Sequence, residues 1–421
     1  MNFCKRYQCN TCDTLIDCRI GMSNRDIQPF QFVCPKCKDR ITFTLGCDDL
    51  MGATEIKDFK GPFTGENHFL ELHLDFPVLV GKYQPGDTVF FRVLEALGHD
   101  GFHHLKFRLD LLNKLYPKQR DLSRLIVQYK RNDIRAFEKV VDNLKDLHSI
   151  ELKSHKKQDI LAALYSATSI MSSPLTIHAH NEELSKEMPK MLLLLHSRNN
   201  EALGEFFDSI IDSSFLKTTH LECISLYPKL IKLDLPLRPA LYYDYTEEDL
   251  SAVSMRVSTS DFDTCNNTYK DLAEVYSRQL VLVAGLNNLL HRGDSDLFSD
   301  SVRLNNKGNV IKNLSSLNDY ANVDLGCKLN AIDDSFFKFN LDAIDTKLRN
   351  GIAHFKYDYD AAMQIITYSS AKEGLFREQT IEITFITFMR KMLLLFREVH
   401  SLNHLTKALL YHSIFILNKD V

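Results

Sequence analysis

Two pairs of cysteines near the start of the chain restrict its fold more than any other feature of the sequence. Each pair has the form Cys-x-x-Cys, with Cys9 and Cys12 in the first and Cys34 and Cys37 in the second. Such a turn brings two thiolates to one side, and two turns together close a tetrahedral four-sulfur site around Zn²⁺. The 21 residues between the pairs slightly exceed the usual spacing in zinc ribbons. We therefore predict a zinc ribbon over residues 1–50.

The predicted zinc ion is structural. Four cysteines fill its coordination sphere, which leaves no open position for hydrolytic chemistry. Seven of the ten cysteines lie in the first 47 residues, a clustering that favours metal binding over disulfides. Cys4, Cys18 and Cys47 lack a partner at ligand spacing, and a substitute ligand among them stays open. Residues 1–50 carry a net charge of only +1, which favours a folding role or protein contact over a strong grip on phosphate.

Residues 51–106 have the pattern of a small β-rich unit. Alternating apolar residues predict strands over Phe69–Leu74 and Thr88–Val93, with turn signals on either side. The next segment contains two pairs of possible metal ligands, His99-Asp100 and His103-His104. Because glycines flank them and no further ligand lies at the required spacing, we interpret this stretch as an exposed loop.

Residues 107–240 form a predicted helical middle domain. Apolar residues recur there at spacings of three and four, without a fixed repeat length. Residues 111–160 carry a net charge of +5, which indicates either a solvated helix face or a patch that steers RNA. The segment Leu235–Pro239 contains two prolines, and we predict a linker there.

Residues 256–421 form a predicted C-terminal helical bundle interrupted by a β-hairpin. We expect its first helix to begin at Asp263 or Thr264 and a looped insertion to span 293–319. We also expect a helix rising through Phe336, Phe337 and Leu341 to Arg349, two strands at 363–368 and 380–385 around a turn with Gly374, and a final helix over 383–410. The predicted fold class is therefore mainly α, with the zinc ribbon, the β unit and the hairpin as its β parts.

A guanidinium, a carboxamide and an imidazole lie close together in that domain, at Arg349, Asn350 and His354. On a helix, residues four apart share a face, so Asn350 could orient the imidazole while Arg349 reaches the same site from the flank. An imidazole can move a proton to or from a ribose hydroxyl, and a guanidinium can stabilise the charge on a phosphate. This pair suits RNA cleavage by a neighbouring 2′-hydroxyl without a metal. Because one histidine cannot easily be both base and acid, a symmetric dimer would complete the site.

The Arg349-Asn350-x3-His354 segment resembles the R-N-x3-H form of the R-x4-6-H signature of the HEPN superfamily. The resemblance covers roughly the last 160 residues and implies a helical bundle, a homodimer through the motif-bearing face, and metal-independent RNA cleavage leaving a cyclic phosphate. By position, it makes Arg349 and His354 the catalytic pair and Asn350 their polar partner. In the family the motif usually leads into a long helix, whereas strand-like segments come after it here.

Two functions are consistent with these observations. The first is a cytoplasmic ribonuclease effector, which the resemblance places in bacterial antiphage or toxin-like defence. Its ribbon and middle helices would bind a protein or phage-derived trigger in the N-terminal half. The alternative is a non-catalytic scaffold whose ribbon and HEPN-like bundle bind a partner protein or nucleic acid. A net charge of −4 argues against a globally basic nucleic-acid coat. The absence of a secretion signal or long apolar span predicts a cytoplasmic protein without membrane contact.

Overall fold

A computed structural model describes residues 2–46, 49–147, 150–246, 255–259, 262–305, 307–369 and 380–419. Within these ranges the protein is mostly helical with small sheets, as the sequence predicts. Its two compact units each combine three segments of the chain. Unit 1 comprises Met1–Pro117, Leu230–Asn267 and Lys347–Leu393, and unit 2 comprises Lys118–Lys229, Thr268–Thr346 and Leu394–Val421. The predicted C-terminal segment 256–421 thus contributes to both units. The four domains drawn from the sequence stay a prediction.

Most of the N-terminal strands of unit 1 form two small sheets. The N-terminal strands are β1 (Asn2–Cys9), β2 (Leu15–Gly21), β3 (Gln28–Val33), β4 (Arg40–Gly46), β5 (Asp49–Thr54), β6 (Ile56–Asp58), β7 (His68–Leu72) and β8 (Val78–Leu79). One sheet has the order β6-β1-β2-β7 and the other the order β3-β4-β5. Strands β1 and β2 are antiparallel, whereas β2 and β7 are parallel. Alternate side chains from both sheets, including Tyr7, Ile16 and Phe43, form a single buried core.

The predicted strand at Phe69–Leu74 is confirmed by β7, but the predicted strand at Thr88–Val93 is wrong. A helix occupies that position, α1 (Val89–Leu115), and the Thr88 side chain caps its N-terminus by accepting from the Phe91 N–H. Val89 and Val93 are buried while Phe90 and Phe91 are exposed. Buried residues four apart are typical of a helix. The prediction of a strand relied on the apolar and aromatic residues of this short segment, which fit either structure.

The two pairs His99-Asp100 and His103-His104 lie in this helix and not in a loop. Gly98 has a φ of 65° and kinks α1, and the helix resumes after it. The pairs lie largely on the exposed surface, as expected. His99 and His103 are one helical turn apart, with their Nε2 atoms 3.2 Å from each other. The glycine that was interpreted as a loop signal thus produces a bend, because only glycine adopts this backbone conformation without strain.

The helical middle region is confirmed. Its helices are α2 (Gln119–Lys130), α3 (Ile134–Asp142), α4 (Lys157–Thr176), α5 (Asn181–Arg198), α6 (Asn200–Asp212), α7 (Phe215–Lys232) and α8 (Asp234–Leu241). The last of these overturns the predicted linker at Leu235–Pro239. Pro236 lies in the first turn, where a helix leaves its N–H groups unpaired. The buried Arg238 guanidinium bonds to Asp75 at 2.6 Å and to Asp234 at 3.0 Å, which holds the helix in place.

The C-terminal elements begin with β9 (Met255–Arg256), which pairs with β8. The remaining helices are α9 (Phe262–Arg292), α10 (Asp300–Arg303), α11 (Leu317–Ala321), α12 (Leu325–Asn330), α13 (Thr346–Ala353) and α14 (Phe385–Phe415). The predicted final helix is confirmed by α14. Helix α9 already includes Phe262, so Asp263 and Thr264 both lie in its first turn and neither is its cap. The long helix expected through Phe336 and Leu341 is wrong, because α13 has only eight residues.

A three-stranded antiparallel sheet comes after α13 and confirms the predicted hairpin. Its strands are β10 (Tyr357–Asp360), β11 (Ile365–Tyr368) and β12 (Ile381–Thr384), with β11 in the middle. The hairpin pairs Ile365 with Thr384 and Tyr368 with Ile381. Strand β10 was not predicted from the sequence. The predicted turn with Gly374 lies outside the described residues. None of the helices in the described part of the chain combines the length and apolar character needed to cross a bilayer.

Candidate metal centre and the Arg349–His354 segment

The four predicted metal ligands lie on two turns with the same backbone conformation. Cys9 ends β1 and Cys34 directly follows β3. Four residues after each of them, Asp13 and Lys38 have positive φ angles of 57° and 67°. Both N–H groups donate to the carbonyl of the first cysteine of their pair at 3.1 Å. Two dissimilar sequences therefore adopt one turn geometry, in which both cysteines of a pair face the same side.

The two turns bring the four sulfur atoms together. The Sγ atoms of Cys9, Cys12, Cys34 and Cys37 all lie within 4.8 Å of one another. The Cys9–Cys37 and Cys12–Cys34 separations are 3.6 and 3.7 Å. A disulfide requires about 2.05 Å. Four sulfurs at about 2.3 Å from a central ion in a tetrahedron are about 3.8 Å apart, as the usual Zn–S bond length requires. The cluster therefore has the dimensions of a four-thiolate zinc site and could bind such an ion.

Burial of the cluster is asymmetric. Cys9 and Cys34 are fully buried in the core of the two N-terminal sheets, while Cys12 and Cys37 are half-buried at its edge. The Thr14 hydroxyl lies 3.1 Å from the Cys12 sulfur and, together with the Thr14 backbone N–H, lowers the pKa of this thiol to about 6. Thiolates are the form that binds metal. An ion at this position would be held by sulfur on all sides, which suits a structural role.

The other N-terminal cysteines take no part in the described cluster. Cys18 is fully buried in β2, and burial raises the pKa of its thiol. Cys4 is exposed on β1. Cys47 lies outside the described residues. Cys9, Cys12, Cys34 and Cys37 therefore need no substitute ligand from Cys4 or Cys18.

The Arg349–His354 segment occupies the C-terminal half of α13 and the end of that helix. The Phe355 N–H donates to the Ile352 carbonyl at 3.3 Å, and the Lys356 N–H donates to the Gly351 carbonyl at 2.7 Å. Phe355 has a left-handed φ of 55°. This is the Schellman arrangement, with His354 as the last residue before the left-handed position. The helix therefore ends at the histidine, and the exposed His354 side chain lies where the chain turns toward β10.

Arg349 and Asn350 interact directly. One terminal nitrogen of the Arg349 guanidinium donates to the Asn350 carboxamide oxygen at 3.2 Å, and both side chains are half-buried. The expected orientation of His354 by Asn350 is not seen: within the described residues no hydrogen bond reaches the His354 ring, and only its backbone N–H donates to the Asn350 carbonyl, at 3.0 Å. The segment thus presents a paired guanidinium and carboxamide, followed by an exposed imidazole.

Gly351 is explained by close packing. A Cβ atom at this position would lie 3.1 Å from the Tyr368 Cβ and 3.2 Å from the Ser369 carbonyl oxygen. The Ser369 N–H also donates to the Lys356 carbonyl at 3.0 Å. The end of β11 therefore lies against α13, and the glycine that interrupts the motif allows this approach. The three-stranded sheet therefore packs directly against the helix that carries the Arg349–His354 segment.

The aromatic residue beside the histidine, Phe355, is a further candidate that was not predicted from the sequence. The Phe355 side chain is 78 % exposed, an unusual position for a large apolar ring. Positive φ angles are found mainly at glycine and asparagine and are uncommon for a bulky residue such as phenylalanine. Its adjacency to His354 in the sequence was the available signal.

Comparisons of the chain with models of protein families, with curated proteins and with solved structures give no match.

Proposed function

We propose that the protein is a metal-independent endoribonuclease of HEPN type that acts as a homodimer. The observation that carries this proposal is the placement of His354: its ring is exposed at the end of α13, one turn after the hydrogen-bonded Arg349 and Asn350. An imidazole at such a position is accessible to a polymeric substrate. The site needs no metal, because proton transfer and charge stabilisation are supplied by side chains.

In the proposed reaction, the 2′-hydroxyl of one nucleotide attacks the adjacent phosphorus. The bond from the 2′-oxygen to phosphorus forms, and the bond from phosphorus to the 5′-oxygen of the next nucleotide breaks. His354 accepts the proton of the 2′-hydroxyl, and His354 of a second protomer gives a proton to the departing 5′-oxygen. Arg349 stabilises the negative charge on the phosphate oxygens. The products are a 2′,3′-cyclic phosphate and a 5′-hydroxyl end.

The exposed ring of Phe355 is a second observation in favour of RNA as the substrate. Sequence-tolerant binding of single-stranded RNA commonly uses aromatic rings on which bases stack, at about 1–3 kcal/mol per base. Phe355 directly follows the proposed proton-transfer residue. A base stacked on its ring would bring the neighbouring ribose and phosphate close to His354.

We further propose that the four-cysteine cluster binds a structural Zn²⁺ ion. The ion would join the two turns and stabilise the N-terminal sheets of unit 1. Reduced thiolates of this kind persist in the cytoplasm, which is the proposed location. The N-terminal half would bind a protein or phage-derived trigger, in keeping with a role in antiphage or toxin-like defence.

The test is cleavage of a labelled single-stranded RNA by the purified full chain in buffer without added divalent metal. EDTA is included at a concentration that leaves the protein's zinc in place, which elemental analysis checks. We expect His354→Ala and Arg349→Ala each to reduce the cleavage rate at least about 100-fold, the usual contribution of such groups. The matched control is His99→Ala, which removes an 80 % exposed histidine of the same unit and should leave the rate unchanged. Equal rates for the His354 and His99 variants would exclude His354 as acid or base.

One observation favours the second candidate, a non-catalytic scaffold. Within the described part of the chain, no hydrogen bond orients the His354 ring, whereas catalytic imidazoles are usually held by a partner. A scaffold would bind RNA or a partner protein and leave the RNA intact. Sedimentation of the protein with the uncut RNA, together with a rate no higher than that of His354→Ala, would favour this candidate.

A further inference from the structure

Unit 2 contains a cavity of about 440 Å³ whose lining comes from α2, α3, α4, α7 and the end of α14. This volume lies within the range of about 300–1,000 Å³ found for small-molecule sites. The lining combines lysines, two histidines and a tyrosine with an apolar wall. No part of it belongs to unit 1, so a ligand site in this cavity is independent of the proposed ribonuclease site.

A hydrogen-bonded chain of three rings runs from a buried tyrosine to two residues that line this cavity, His220 and Tyr129. The Tyr165 hydroxyl lies 3.0 Å from His220 Nδ1, and His220 Nε2 lies 3.1 Å from the Tyr129 hydroxyl. Burial lowers the pKa of His220 to about 3, so the ring is neutral and carries one proton. Tyr165 is buried, and His220 is the only acceptor for its hydroxyl within the described residues. Its hydroxyl must therefore donate to Nδ1, and the ring proton is on Nε2.

Tyr129 consequently accepts from His220 and keeps its own hydroxyl proton for another partner. Burial raises the pKa of Tyr129 to about 12, so the hydroxyl stays a donor at neutral pH. No acceptor for it is found among the residues that the structure describes, and Tyr129 lines the cavity. The hydroxyl is therefore available to an acceptor group within the cavity.

Three cations surround the same space. Lys130, Lys157 and Lys217 line the cavity against a single carboxylate, that of Asp133. The Asp133 carboxylate is already used as the cap of α3, where it accepts from the Ala136 N–H at 3.0 Å. In the described ranges no carboxylate lies within ion-pair distance of Lys130 or Lys217. Glu222 is the described carboxylate whose charge reaches Lys130, and it lies beyond ion-pair distance. Lys130 and Lys217 therefore bring positive charge to the lining that a ligand can neutralise.

Another part of the lining is apolar. Phe137, Leu161 and Leu410 contribute buried side chains, and Ile160 and Leu221 complete the wall. An inorganic anion bound at the lysines would not cover these apolar side chains, which would stay in contact with water. A ligand that fits both parts has a phosphate at one end and a flat apolar body at the other.

We propose that this cavity binds a nucleotide, with its phosphate between Lys130 and Lys217, an acceptor atom at the Tyr129 hydroxyl, and its base against the apolar wall. Lysines at phosphate sites act as point charges and tolerate several phosphate positions. Unit 2 would then be the ligand-sensing part of the chain. The ligand is small and distinct from the RNA chain that the proposed site at His354 would cut.

The test is isothermal titration of the full chain with each of the four nucleoside 5′-monophosphates, with the matching nucleosides and with inorganic phosphate. We expect saturable one-to-one binding of at least one nucleotide. The nucleoside and inorganic phosphate should each bind at least about tenfold more weakly, a factor that corresponds to about 1.4 kcal/mol. Failure of every nucleotide to saturate the folded protein at millimolar concentration would overturn the proposal. Equal affinity for the nucleotide and either fragment would also overturn it.

Variants locate the binding in this cavity. Lys130→Ala and Lys217→Ala should each weaken nucleotide binding about tenfold, as expected for loss of a charge-assisted contact. The matched control is Lys190→Ala on α5, an exposed lysine that does not line the cavity. Equal weakening by Lys190→Ala and Lys130→Ala would mean that only the overall charge matters, and would refute the site. Tyr129→Phe should weaken binding while circular dichroism remains that of the wild type.

Discussion

Replacing one buried cysteine should separate a metal ligand from a packing residue. Cys34 and Cys18 are both fully buried in the same N-terminal core, but only Cys34 lies in the sulfur cluster. We predict that Cys34→Ala releases zinc and destabilises unit 1, whereas Cys18→Ala retains zinc. The two variants remove the same side chain at equal burial, so their difference measures ligation alone.

The size of the effect can be worked out from the geometry of the cluster. Its sulfur separations of 3.6 and 3.7 Å fit four equivalent Zn–S bonds. Structural zinc contributes about 10–16 kcal/mol of apparent binding free energy, so each of four thiolates accounts for roughly 2.5–4 kcal/mol. Loss of one ligand should therefore weaken zinc affinity roughly 60- to 700-fold. Cys18→Ala should cost only about 1 kcal/mol of stability, as a small buried truncation does.

The assay is competition for zinc with a chromophoric chelator, combined with elemental analysis of the purified variants. Wild type and Cys18→Ala should contain one zinc per chain and lose it at the same chelator concentration. Cys34→Ala should lose zinc at a far lower concentration and unfold earlier on heating. If Cys34→Ala keeps zinc with an affinity within about threefold of wild type, the reasoning from sulfur geometry is wrong.

Two further predictions concern stability. Gly351→Ala should destabilise the protein by about 1–3 kcal/mol, because the added carbon overpacks against β11. Gly204→Ala on α6, where nothing lies within 4 Å of the added carbon, should stabilise the protein by about 1 kcal/mol. Urea unfolding in which both variants gain stability would contradict the packing argument. Burial lowers the pKa of His73, His220 and His400 to about 4, 3 and 3, below the unfolded value of 6.5. Because the unfolded chain then binds more protons, stability should fall as pH decreases from about 6.5 to 4, by up to about 1.4 kcal/mol per unit for each histidine. An equal urea midpoint at pH 7 and pH 5, or no flattening of the slope in His400→Gln, would refute this.

The cysteine pairs were predictable because their chemistry is local. A Cys-x-x-Cys turn has one common geometry, and two of them at ribbon spacing have few ways to meet. The helical middle region was predictable for a similar reason, since apolar spacings of three and four are repeated over many residues. Such patterns need no information from distant parts of the chain.

The errors arose where distant contacts decide local structure. The helix over Leu235–Pro239 contains two prolines, and it is held by the buried bonds of Arg238 to Asp75 and Asp234. Only the folded chain brings Asp75 to Arg238. The segment Thr88–Val93 was misread because six residues are too few to separate a period of two from a period of 3.6.

The Arg349–His354 segment shows both situations. Its residues were visible in the sequence, but the end of α13 at His354 was not, because Gly351 packs against the end of β11. The cavity of unit 2 was also hidden from the sequence. Tyr129 and His220 are 91 residues apart, and each alone resembles an ordinary packing residue.

The most direct test of the central claim is cleavage of an RNA that carries a single 2′-deoxynucleotide on the 5′ side of the mapped cut. Attack by the neighbouring 2′-hydroxyl requires that oxygen, so we predict that the substituted RNA stays intact at this position. The unmodified RNA should give a 2′,3′-cyclic phosphate end in a reaction that needs His354. Cleavage of the substituted RNA at the same rate would mean that water or another group is the nucleophile, and would contradict the proposed function.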